Sequence, residues 1–147
     1  MRAEAIRYIV LHCSATRSDR PYSPEALERG FHGAGYHFYI RQSGTIIPLR
    51  PLQQIGAHVR GYNSCSWGVC YEGGLDPNGK ATDTRTEAQK VALRQLLVQL
   101  KALAPQAEIV GHRDLSPDRN GDGHIDSSEW IKLCPCFDAR TEYKFLT

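Results

Sequence analysis

The chain has 147 residues, the size of one ordinary domain, and a chain of that length buries roughly 70% of its unfolded surface on folding. Apolar residues make up 41% and charged residues 23%, with no biased tract, which excludes a disordered or fibrous protein. Lys and Arg number 18 against 16 Asp and Glu, a net charge of +2, and the basic residues are scattered, so nucleic acid is not the expected partner.

No apolar run reaches the ~18 residues of a membrane span, and residues 1–9 lack the length and small-residue cleavage site of a signal peptide. The expectation is a chain that is cytoplasmic as synthesised, without membrane insertion, acting as a monomer. Its five cysteines, Cys13, Cys65, Cys70, Cys134 and Cys136, are odd in number, a poor basis for a disulfide framework; free thiols or metal ligands are expected instead.

Residues 7–13, Arg-Tyr-Ile-Val-Leu-His-Cys, form a continuous β-rich apolar run and read as a buried central strand ending in His12. Ser23-Pro24-Glu25 reads as an N-cap with Pro at the first helical position, opening a short helix that stops at Gly30. Residues 36–40 and 45–48 are strand-like and separated by Arg-Gln-Ser-Gly, a hairpin signal with Gly44 supplying the positive φ. Residues 66–71 are a further β-rich run, closed by Gly73-Gly74. The clearest helix covers 87–104: Thr86 and Gln89 form a capping box, Leu93, Leu96, Leu97, Leu100 and Leu103 recur at helical spacing as a core stripe, and Pro105 ends it. Residues 108–112, Glu-Ile-Val-Gly-His, are a last short strand that again ends in a histidine. Strands and helices alternate irregularly, which predicts a single α/β domain of mixed α+β character, a central mixed β-sheet flanked by helices.

Two strand-end histidines, His12 and His112, are followed downstream by Lys132-Leu-Cys134-Pro-Cys136-Phe-Asp138. Two imidazoles and one thiolate leave a fourth tetrahedral position open, as catalytic rather than structural zinc requires. Taken singly, a strand-end His is more often a hydrogen-bonded core residue and a lone Cys a packing residue, and the spacing does not decide between these readings.

The motifs His12-Cys-Ser-Ala-Thr16, Gly35-Tyr-His-Phe38, Gly56-Ala-His58 with Gly61-Tyr-Asn-Ser64, Gly68-Val-Cys70 and Cys134-Pro-Cys-Phe-Asp138 run through nearly the whole chain. Together they resemble the zinc N-acetylmuramoyl-L-alanine amidases related to phage amidase-type lysozymes and peptidoglycan recognition proteins. The resemblance implies one amidase domain over 1–147, with zinc held at His12, His112 and Cys134. It also implies cleavage of the amide between the lactyl group of N-acetylmuramic acid and L-alanine, with peptidoglycan or a muropeptide as the partner. Tyr36 and Lys132 match the family's catalytic positions outside the metal, Tyr36 to orient water or shuttle its proton and Lys132 to stabilise an oxyanion. His37 and His58 fall in matching motifs and are expected to bind substrate or to hydrogen-bond behind the site.

The sequence departs from the family in three places. Cys70 stands where some members carry a glutamate base, and Glu72, two residues on, shares its face in an ideal strand. The helix after Ser23 is shorter. Between His112 and Cys134, residues 118–129 match a calcium loop of the EF-hand type, with donors at Asp118, Asn120, Asp122, the His124 carbonyl, Asp126 and Glu129, and Gly123 at the sharp turn. Residues 113–117 do not read as a helix, so structural calcium rather than a paired sensor is expected. The resulting expectation is a peptidoglycan amidase, a phage or prophage endolysin. The alternatives are a cytoplasmic muropeptide-recycling amidase and a non-catalytic peptidoglycan-binding module; the latter is disfavoured because Tyr36, Lys132 and Cys134 all stand.

Overall fold

The computed structural model describes residues 1–30, 35–116 and 133–146. Strands β1 (Tyr8–Cys13) and β2 (Thr16–Arg17) precede helix α1 (Pro24–Gly30), followed by β3 (Phe38–Ile40), β4 (Ile46–Pro48), β5 (Ser66–Tyr71) and β6 (Gly74–Leu75). Helix α2 (Glu87–Leu103), strand β7 (Glu108–Gly111) and helix α3 (Ala139–Glu142) complete the order. Five strands form one mixed sheet in the order β4-β3-β5-β1-β7. β5 runs parallel to β3 and β1, β1 runs parallel to β7, and β3 and β4 are an antiparallel hairpin. The expected mixed sheet with flanking helices is therefore what forms.

Strand alternation gives the sheet two faces with different duties. Ile9, Leu11 and Cys13 of β1, Trp67, Val69 and Tyr71 of β5, Ile40 of β3 and Ile109 of β7 share a core with Leu93, Leu96, Leu97 and Leu100 of α2. Each fully buried leucine there contributes about 1.5–3 kcal/mol. On the opposite parity, Val10 and Val110 pack with Val59, and Cys70 and Tyr39 pack with Tyr36 and Leu27. His12, Ser66 and Gly68 belong to this second parity. The polar residues of the central strands are thus gathered on the face away from α2.

The local signals for α2 act as expected. Thr86 Oγ1 accepts from the Gln89 amide at 3.1 Å, and Gln89 Oε1 accepts from the Thr86 amide at 2.9 Å. Leu103 departs from its stripe: it is 55% exposed because the last turn of α2 overhangs an open groove shared with Met1, Leu52 and Trp67. Ser23 Oγ caps α1 by accepting from the Ala26 amide at 3.1 Å, and Gly44 has φ +88° in the hairpin.

Four expectations are corrected. β1 continues one residue past His12, and β7 stops at Gly111, so His112 opens a 3₁₀ turn, His112–Leu115. That turn also replaces the irregular chain expected after His112; its Asp114 carboxylate accepts from the Gly111 amide at 2.8 Å. Gly73-Gly74 does not simply close β5. With φ of +132° and +101° the pair redirects the chain into β6, which pairs with β2 as a second, parallel ribbon.

Glu72 is no substitute base. It lies beyond β5, 2% exposed, and its carboxylate accepts from Arg41 Nε at 2.8 Å and from the Tyr22 and Gln42 amides at 2.6 and 2.9 Å. Burial alone would raise its pKa, but these donors outweigh burial and hold it below the usual carboxylate range. The expected calcium ligands Asp118, Asn120, Asp122, His124, Asp126 and Glu129, and the expected catalytic Lys132, lie outside the described residues.

Candidate metal centre

β1 and β7 are parallel neighbours with Leu11 opposite Gly111, so the next residues, His12 and His112, leave the same sheet edge side by side. Their ring centroids are 4.8 Å apart. Cys134 reaches them from a Cys-Pro turn held by three hydrogen bonds. The Arg113 amide donates to the Cys134 carbonyl at 3.0 Å, the Cys136 amide to the Leu133 carbonyl at 2.7 Å, and the Tyr71 hydroxyl to the Pro135 carbonyl at 2.6 Å. Gly111 admits the turn, because a Cβ there would stand 2.6 Å from Pro135 Cδ.

The potential ligand atoms of His12, His112 and Cys134 all lie within 4.8 Å of one another. The Cys13 amide donates to Cys134 Sγ at 3.0 Å, a bond that strengthens when the acceptor is a thiolate. Two imidazole nitrogens and one thiolate form a borderline-soft donor set that fits zinc, with one tetrahedral position left for water or substrate.

The three residues line a cavity of about 150 Å³ together with Cys13, Ala15, Tyr36, Ala57 and His58. Tyr36 is buried, its ring 4.9 Å from that of His12. Burial, with the neighbouring Cys70, Cys134 and Cys13 sulfurs, pushes its phenol well above the ordinary range, so Tyr36 is a neutral hydrogen-bonding group there. The described lining residues include no carboxylate, so the site has no acidic base among them.

Both ring nitrogens of His37 and of His58 have protein partners. His37 is fully buried; its Nε2–H donates to the Gln54 carbonyl at 2.8 Å and its Nδ1 accepts from the Gly68 amide at 3.1 Å. It ties the 51–58 loop to β5 and has no ring nitrogen left for a ligand. His58 reaches the cavity wall, but its Nδ1 lies 2.9 Å from His12 Nε2 and its Nε2 lies 3.2 Å from Ser66 Oγ. Burial first, then the charges of His37 and His112, push the His58 pKa down to about 3, and it remains neutral.

Two contributors escape the sequence reading. Asn63 Oδ1 accepts from the His58 and Val59 amides, each at 2.9 Å, and so fixes the loop that carries His58. Ser66 receives His58 on one side and donates to the Tyr62 carbonyl at 2.7 Å on the other. Asn63 lies within the Gly61-Tyr-Asn-Ser64 motif, and Ser66 shares the strand parity of Gly68 and Cys70, the two signals from which their placement was accessible.

Fold and site together define an amidohydrolase, and the chain belongs to the N-acetylmuramoyl-L-alanine amidase family, whose profile matches residues 2–127. Cys134 falls beyond the matched stretch, so its place beside His12 and His112 is a finding of the structure. The chain is similar to the endolysin of Klebsiella phage KP32, 38% identical over 137 residues that cover 90% of this chain and 82% of that one. An uncharacterized protein of Haemophilus influenzae is 52% identical over 95 residues, 65% of this chain and 82% of that one. Among solved structures, the endolysin of bacteriophage Ph2119 from Thermus scotoductus MAT2119 superposes with a TM-score of 0.67 at 25% identity, covering 96% of this chain and 84% of that one.

Proposed function

We propose that this protein is a zinc-dependent amidase that hydrolyses the bond between the lactyl group of N-acetylmuramic acid and L-alanine in peptidoglycan. It acts as one monomeric domain over residues 1–147, in the manner of its endolysin relatives. The observation that carries the reading is the convergence of His12, His112 and Cys134 from three separate segments on one cavity. Zinc at that position supplies Lewis acidity, which polarises an amide carbonyl and makes water acidic near neutral pH.

The chain's own groups then have distinct duties. Tyr36, kept protonated by burial, donates from its hydroxyl to an oxygen in the cavity and orients it for attack. The Lys132 ammonium would offset negative charge developing on the former carbonyl oxygen, and as the C–N bond breaks the departing amine of L-alanine takes up the proton that the attacking water gives up.

Digestion of purified peptidoglycan followed by mass spectrometry of the new ends tests the reaction. Free L-alanine amino groups should appear, vanish after chelation and return with added zinc. Release of saccharide ends instead, or digestion indifferent to the chelator, overturns it. Tyr36→Phe and Lys132→Ala should keep zinc yet lose about 10²–10³ in kcat, the scale for one well-placed donor. Near-normal turnover in both would return Tyr36 to packing and Lys132 to surface charge.

We further infer that residues 118–129 bind one calcium through Asp118, Asn120, Asp122, the His124 carbonyl, Asp126 and a bidentate Glu129. The segment joins His112 to Lys132 and Cys134 in sequence, so an ion that orders it also shortens the tether between these residues. An ion that binds only the folded form stabilises it by mass action. Calcium should therefore raise the melting temperature and zinc occupancy together, and Glu129→Gln should reduce both gains. Calorimetry on metal-stripped protein with no heat at millimolar calcium refutes this assignment.

A further inference from the structure

His12 has two ring nitrogens, and a neutral imidazole carries its proton on one of them. Which one is decided three hydrogen bonds away. The Tyr62 carbonyl can only accept, so the Ser66 hydroxyl, 2.7 Å from it, donates there. Having spent its hydrogen, Ser66 Oγ accepts from His58 Nε2–H across 3.2 Å. A neutral His58 with its proton on Nε2 has a lone pair on Nδ1, and that lone pair faces His12 Nε2 at 2.9 Å. His12 must therefore carry its proton on Nε2, which leaves the lone pair on Nδ1.

We propose that His58, oriented by Ser66 and the Tyr62 carbonyl, is the positioning residue that selects the Nε2–H tautomer of His12 and so makes Nδ1 the atom with which His12 holds the metal. This rests on the zinc reading above and adds to it which atom binds and what fixes it. A ligand imidazole whose other nitrogen donates to a neighbour is held in orientation and made a better donor, with loss of the neighbour typically costing about 10- to 100-fold in metal affinity.

The position of the His58 ring is built independently of any metal. A Cβ on Gly68 would stand 2.7–2.8 Å from three atoms of that ring, and one on Gly56 would stand 2.7 Å from His58 Cδ2. Two glycines thus clear the volume the imidazole occupies, one on β5 and one on the loop that carries His58. The His58 backbone is pinned at the same time by Asn63 Oδ1. His58 stands in the cavity wall beside Ala57, but both of its ring nitrogens are engaged by His12 and Ser66, so it acts through His12 as a positioning residue.

The test uses the full chain loaded with zinc. Long-range proton–nitrogen correlation of the imidazoles should show His12 protonated at Nε2, with Nδ1 carrying the metal shift. His58→Leu should weaken zinc about 10- to 100-fold in competition with a chromophoric chelator. His58→Asn, whose Oδ1 can accept where Nδ1 did, should restore most of that affinity, and Ser66→Ala should lose part of it. A purely structural role predicts equal losses in the Leu and Asn variants. The proposal fails if His12 is protonated at Nδ1, or if folded His58→Leu binds zinc as tightly as the parent. Wild-type protein that retains no zinc, or a Cys134→Ala variant that retains it as tightly as the parent, overturns the zinc reading itself. Stoichiometric, Cys134-dependent zinc held through His12 Nε2 overturns the relay alone.

Discussion

Cys134→Ala should abolish zinc retention and amide hydrolysis together, the largest effect expected from one substitution in this chain. Cys134 is the one residue of the set that can bind as an anion, and without it two imidazoles alone would face a divalent cation in a half-buried pocket. Coulomb attraction at that range is worth far more in a protein interior than in water, so the loss exceeds that of an ordinary hydrogen bond. The fold should survive, because the turn around Cys134 is held by backbone groups of Arg113, Leu133 and Cys136 and by the Tyr71 hydroxyl, none of which uses the sulfur. Circular dichroism of the apoproteins should therefore overlay while zinc content and turnover fall to background. A zinc-free Cys134→Ala protein with parental turnover would remove the metal from the reaction.

Much of this site could be read before the structure, and the unread parts have physical causes. The bounds of β5 and α2 were accessible because each carries a local signal: a continuous β-rich run in one, and a capping box with a terminating proline in the other. His12 and His112 were accessible as strand-end residues, although the strand edges shift by one residue around them. The β2–β6 ribbon was not accessible, since two-residue strands have no period to detect. Nor were the roles of His37 and His58. Their motifs mark them as functional, but what each ring nitrogen touches depends on Gln54, Gly68, Ser66 and His12, partners set by the sheet register. Glu72 illustrates the converse. Its parity suggested a base, and only the tertiary pairing with Arg41 and two amides shows the carboxylate to be already spent.

Arg85→Met should lower stability by about 2–3 kcal/mol and loosen the segment that carries Cys134. The Arg85 side chain is 1% exposed and bridges Asp83 at 2.9 Å and Glu142 at 2.6 Å, the second through both guanidinium nitrogens. It also reaches the Tyr143 hydroxyl at 3.2 Å, and its guanidinium carbon lies 3.4 Å from the Phe137 ring centroid. Breaking a buried pair costs about 3–5 kcal/mol. The carboxylates here are a third or more exposed and can rehydrate, which reduces the figure, and Met retains the aliphatic stem packing. For a chain of this length the loss corresponds to roughly 4–12 °C in melting temperature. The effect should depend on pH with a definite sign. Arg85 holds Glu142 below its ordinary range, and at Asp83 it outweighs the opposing effect of burial. Both carboxylates are therefore depressed in the fold, so their stabilisation is complete above about pH 4.5 and is lost as pH falls through the folded values. The melting gap between parent and Arg85→Met should be constant from pH 6 to 8 and narrow below about pH 4. Because Phe137 and α3 follow Cys134 directly in the chain, the variant should also release zinc to a chelator faster than the parent at temperatures where both remain folded. A gap that does not narrow in acid would mean that Arg85 acts by packing on Phe137 alone, and unchanged zinc release would mean that the Cys-Pro turn is held entirely by Tyr71 and the Arg113 amide.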